Sequence, residues 1–95
     1  MKDVTIRVKG RVQGVGYRRW AVNKAKEIGE ISGWVHNDYD GSVILRIKGE
    51  AQYVDMMVLA CEKGPLWGRV DSLEFIVGRL SSFLPEVEQG VFKRV

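Results

Sequence analysis

Residues 9 to 20 read KGRVQGVGYRRW, with three glycines, four cationic side chains and no acid. Gly14 and Gly16 let the backbone adopt dihedrals closed to other residues and let a ligand approach the main chain. Successive N–H groups in such a loop can converge on an anion. A helix starting near Tyr17 would add its own unsatisfied N–H groups and the positive end of its dipole. Arg18, in the first turn, carries a planar fork of donors that matches two phosphate oxygens. These devices converge on one small tetrahedral dianion. The plainer alternative is a tight strand-to-helix turn. The stretch has neither the third glycine and acid of a dinucleotide fingerprint nor the Lys-Ser/Thr end of a P-loop.

A second candidate is Asn37, at the end of GWVHN (33–37). An asparagine offers a donor and an acceptor and can orient a water, although it is no strong base. Its plainer role is to start the turn DYDG (38–41), in which Asp38 and Asp40 also read as turn residues. One cysteine, Cys61, and one histidine, His36, leave no disulfide and no zinc-type spacing. Cys61 falls in an apolar helical pattern and reads as a small buried hydrophobe.

The elements that must position these residues follow from periodicity. Val4, Ile6 and Val8 alternate with polar residues, which predicts a half-buried strand. Tyr17, Ala21, Ala25 and Ile28 recur at helical spacing, and Gly29 is placed to end that helix. ISGWVHN predicts a second strand, and Asp40-Gly41 a hairpin. Val43, Leu45 and Ile47 alternate as a third strand. Val54, Met57, Val58 and Cys61 share one face of a second helix that Gly64-Pro65 terminates. Leu73, Phe75 and Val77 alternate as a fourth strand. GRLSSFLPEVEQG (78–90) reads as a long loop and VFKRV as a short last strand. The order β-α-β-β-α-β predicts an α+β, ferredoxin-like fold, an antiparallel sheet with two helices on one face. With 95 residues, one domain over 1–95 is expected.

GRVQGVGYR followed by GWVHN resembles the acylphosphatase family, whose signatures are G-R-V-Q-G-V-x-[FY]-R and, on the second strand, G-x-V-x-N. The resemblance extends through DGSV, through GPLWGRVDSLEF and to a phenylalanine near the C-terminus. It implies hydrolysis of the carboxyl-phosphate bond of acyl phosphates. It also implies that Arg18 binds the phosphate, that main-chain amides of Gln13, Gly14, Val15, Gly16 and Tyr17 cradle it, and that Asn37 orients the attacking water. The family usually carries lysine or arginine where this chain has His36, which strand alternation points away from Asn37.

The expected partner is therefore a small acyl phosphate, with inorganic phosphate or other small anions held in the same place. No metal and no cofactor is expected. MKDVTIRVKG lacks the apolar core of a signal peptide, and no apolar run approaches a membrane span. A cytoplasmic monomer is the expectation. The formal charge of +3 favours an anionic partner without choosing one. A basic nucleic-acid-binding module is the competing reading, with Trp34, Tyr39, Tyr53 and Trp67 as candidate stacking groups. Yet the strands carry no aromatic run of the kind that stacks bases, and Trp20, Trp34 and Trp67 read as core or core-edge residues. A non-catalytic interaction domain is the third reading. The chain ends shortly after the fifth strand, which favours a free-standing enzyme.

Overall fold

Alternation and helical spacing translate into five strands and two helices among the described residues. The computed structural model describes residues 1–78 and 84–95. Its elements are β1 (Lys2–Arg11), α1 (Tyr17–Ile28), β2 (Ile31–Asn37), β3 (Val43–Gly49), α2 (Ala51–Lys63), β4 (Arg69–Phe75) and β5 (Phe92–Arg94). The sheet order is β4-β1-β3-β2-β5. The first four strands pair antiparallel, with Ile6 opposite Leu45, Val35 opposite Leu45 and Val8 opposite Leu73. This is the ferredoxin-like arrangement. The fifth strand adds to β2 in parallel, with Gly33 opposite Phe92. The loop expected over 78–90 lies outside the described residues at 79–83.

One face of the sheet forms the core. Ile6, Val8, Val35, Val43, Leu45 and Ile47 pack beneath Ala21 and Ala25 of α1 and Val54, Met57 and Cys61 of α2. Tyr17 is buried at the start of α1, and its hydroxyl donates to the Cys61 carbonyl at 2.8 Å, tying the two helices together. Cys61 is fully buried, and burial pushes its thiol pKa up to about 12, so the reading of it as an inert hydrophobe holds.

Ion pairs and the residues around Pro85 and Gly90 cover part of the other face. Arg46 makes a two-pronged contact with Asp3. The indole of Trp34 donates to the Pro85 carbonyl at 2.9 Å, and the Gly90 amide donates to Ser32 Oγ at 2.8 Å. Trp34 is consequently only 2% exposed. It is no stacking platform, and Tyr39 lies off the sheet in a turn while Tyr53 lies on α2. The aromatic surface that nucleic-acid stacking would need is not assembled among the described residues.

Two expectations are corrected. Strand four stops at Phe75, and Val77 is 96% exposed. Pairing with β1 ends there, the last link being the Ile76 amide to the Thr5 carbonyl. Trp67 is 60% exposed, so it belongs neither to the core nor to its edge.

Candidate active site

The end of β1 runs into Val12–Gly16, and this loop sits between two neighbours. On the β3/β2 side is the hairpin 38–42, on the β4 side the turn 65–68. Gly14 and Gly16 have φ of 75° and 78°, left-handed values at which a side chain is strained, so the glycines of the motif are required by the backbone path. Gly16 also caps α1, and its carbonyl receives the first bond of the helix, from the Trp20 amide at 2.9 Å. Among the described residues, the amides from Gly14 to Arg19 donate no hydrogen bond of ordinary geometry. They form a run of uncommitted donors at a helix N-terminus, with no acid in the first turn to occupy it.

Each expected residue has a definite place. Gly14 is exposed, Val15 packs against the core, and Tyr17 is buried with its hydroxyl committed to the Cys61 carbonyl. Arg18 is half-buried in the first turn of α1 and has no ion-pair partner among the described residues. Asn37 is the last residue of β2, opposite Val43, and shares the helix-facing side of the strand with Val35. Its Oδ1 is buried and has no hydrogen-bond partner among the described residues. His36 points to the other face, where Nδ1 lies 3.2 Å from the Val95 carbonyl oxygen.

Gln13 has a role through its side chain that the family motif does not express. Its side-chain Nε2 donates to the Asp38 carbonyl at 2.7 Å and the Ser42 carbonyl at 2.8 Å. This clips the loop to the hairpin that carries Asn37. The hairpin is in turn held by Arg7, whose Nη1 meets Asp38 at 2.7 Å, Ser42 Oγ at 2.8 Å and Asp40 at 3.1 Å. The Arg7 guanidinium holds the Asp38 carboxyl below the ordinary carboxylate range, and hydrogen bonds from Ser42 do the same for Asp40. Both acids are committed to the turn, as their sequence context indicated, and neither is poised as a base. Neither the Gln13 clip nor the Arg7 network was foreseen, because their partners lie 25 or more positions apart.

The turn 65–68 closes the opposite side. A β-carbon on Gly68 would come within 3.2 Å of the Arg11 carbonyl and 3.6 Å of the Val15 side chain, so the turn lies directly against the loop. A β-carbon on Gly16 would sit 3.8 Å from the indole nitrogen of Trp67. Among the described residues, no group of three or more His, Cys, Asp or Glu side chains could hold a metal ion. A separate polar cleft at the far end of the sheet, lined in part by Glu30, Lys48 and Glu50, contains none of the expected site residues.

The fold is of the ferredoxin-like class, with a glycine-formed loop of uncommitted amides at the start of α1. Comparison with known proteins narrows that class. The acylphosphatase family model matches residues 4–84. An acylphosphatase of Rhodospirillum rubrum is 45% identical over 73 residues, covering 77% of this chain and 79% of that protein. One of Methylococcus capsulatus is 47% identical over 74 residues, covering 78% and 79%. The crystal structure of acylphosphatase from Bacillus subtilis superposes with a TM-score of 0.82 at 28% identity, covering 100% of this chain and 99% of that one. The chain belongs to the acylphosphatase family, and its activity at the level of the family is hydrolysis of acyl phosphates.

Proposed function

We propose that this chain hydrolyses acyl phosphates with Arg18 and the amides of Gln13–Arg18 holding the phosphoryl group and Asn37 orienting the attacking water. The observation that carries the reading is the buried, unpartnered Oδ1 of Asn37 beside a loop of uncommitted donors. A buried polar atom without a partner is costly, and a ligand water meeting it removes the cost. The unpaired Arg18 supports the other half, since a guanidinium without a carboxylate is available to a phosphate.

The chemistry fits this sparse set of groups. The water oxygen forms a bond to phosphorus, the bond from phosphorus to the acyl oxygen breaks, and its electron pair leaves with the carboxylate. A carboxylate departs without protonation, so no general acid is called for. One water proton passes to a phosphoryl oxygen of the substrate, which suits a site whose nearest acids, Asp38 and Asp40, are tied up in the turn. What remains is positioning and charge stabilisation, the principal tasks in phosphoryl transfer. The protein works as a cytoplasmic monomer of one domain; the single core shared by both helices and the sheet supports the last point. No described helix is long and apolar enough to cross a membrane.

The test is hydrolysis of benzoyl phosphate in EDTA by the parent, Arg18→Ala and Asn37→Ala. Arg18→Ala should lose both affinity and rate, at roughly 1.5–3 kcal/mol for a charge-assisted contact. Asn37→Ala should lose turnover while inorganic phosphate still binds. A folded parent without activity would refute the proposal, and an essential enzyme base in the pH–rate profile would refute the substrate-assisted step.

A further inference from the structure

Leu66 and Trp67 are 97% and 60% exposed, at the tip of a turn whose other residues are anchored. Pro65 is buried, the Gly64 amide bonds the Ala60 carbonyl at 2.8 Å, and the Gly68 amide bonds the Pro65 carbonyl at 3.2 Å. Gly68 lies against Arg11 and Val15, and the Trp67 indole stands beside Gly16. Two large apolar side chains are thus held on a fixed mount at the rim of the anion loop. The packing of the core gives them no role.

Their position relative to Asn37 is informative. In-line displacement puts the attacking water and the leaving oxygen on opposite sides of phosphorus. Asn37 stands on the β2 side of the loop and Trp67 on the β4 side, with β1 and β3 between them in the sheet. A water held by Asn37 therefore directs the leaving acyl group toward Trp67. We propose that Trp67, with Leu66, forms the wall against which the acyl group lies and so selects acyl phosphates with large apolar or aromatic acyl groups over acetyl phosphate. This rests on the proposed placement of phosphate and water, and deepens it by naming the substrate class.

The experiment compares kcat/KM for benzoyl and acetyl phosphate, and competitive inhibition by inorganic phosphate, in the parent, Trp67→Ala and Trp67→Phe. The benzoyl-to-acetyl ratio should fall about tenfold or more in Trp67→Ala, the scale of discrimination available from apolar contacts. It should stay near the parent value in Trp67→Phe, which keeps an aromatic face. Inhibition by phosphate should be unchanged in both. An unchanged ratio in Trp67→Ala, with both substrates turned over, overturns the inference alone. Phosphate inhibition weakened as much as benzoyl turnover also overturns it, because Trp67 would then be supporting the loop. A folded parent inert toward both substrates overturns the placement of phosphate and water itself.

Discussion

Asn37 is where stability and activity separate at the scale of a residue. Its buried Oδ1 meets no protein donor among the described residues, so no hydrogen bond within the protein offsets its removal from bulk water. Asn37→Ala should leave the thermal midpoint unchanged or raise it by a few degrees, since about 1 kcal/mol moves a domain of this size by roughly 4–8 °C. The same change should reduce turnover about 100-fold or more, in the range seen for lost positioning or oxyanion donors. Thermal melts alongside single-substrate kinetics check both, and a large drop in melting temperature would show that Asn37 has a structural partner. Gln13 is the complementary case. Its side-chain Nε2 donates to both the Asp38 and the Ser42 carbonyls, so it holds the loop against the hairpin.

At the scale of elements, the hairpin between β2 and β3 is the part of the site most exposed to pH. Asp38 is paired with Arg7, which lowers its folded pKa below the ordinary value. Between the two values the unfolded chain binds more protons, so stability rises with pH there. The contribution is fully present above the unfolded carboxylate pKa of about 3.9 and is lost as pH falls through it toward the lower folded value. Asp38→Asn should cost about 1–2 kcal/mol at neutral pH, as expected for a half-buried charge-assisted bond. The gap from the parent should close on acidification below about pH 4; urea melts at pH 7 and pH 3 measure it, and an equal gap at both would assign the loss to something other than ionisation. The elements themselves were largely readable. Val54, Met57, Val58 and Cys61 mark α2 because a 3.6-residue period has one interpretation at that length. Gly33 is required because a β-carbon there would fall on the Arg46 carbonyl oxygen, a close approach that only the register of β2 on β3 creates. Val77 misled because alternation continues past Phe75, where the chain leaves the sheet although β1 runs on to Lys2. Trp67 misled because its exposure depends on the turn it rides on; the flanking Gly64-Pro65 and Gly68 were the available sign. The Arg7 and Gln13 contacts join residues far apart in the chain, and no local pattern encodes them.

At the scale of the whole molecule, only β2 and β3 are neighbours in both sequence and sheet. β1 pairs with β3 across 35 to 47 positions, and β1 with β4 and β2 with β5 across 58 or more. With a single cysteine, no disulfide shortens these closures. Chains dominated by such non-local pairs must close long loops before contacts reward them, and they fold slowly for their size. The candidate site inherits this: its loop, hairpin and turn come from residues 12–16, 38–42 and 65–68, which the β1–β3 and β1–β4 pairings bring together. A ligand cannot template a site whose walls have not yet met. Added phosphate should therefore slow unfolding in proportion to its saturation of the native site and leave the refolding rate where it was. Stopped-flow chevrons with and without phosphate read both limbs, and an accelerated folding limb would mean the anion loop forms early and alone. On the proposed placement of phosphate, anion recognition would guard the finished molecule against opening and do nothing to hasten its making.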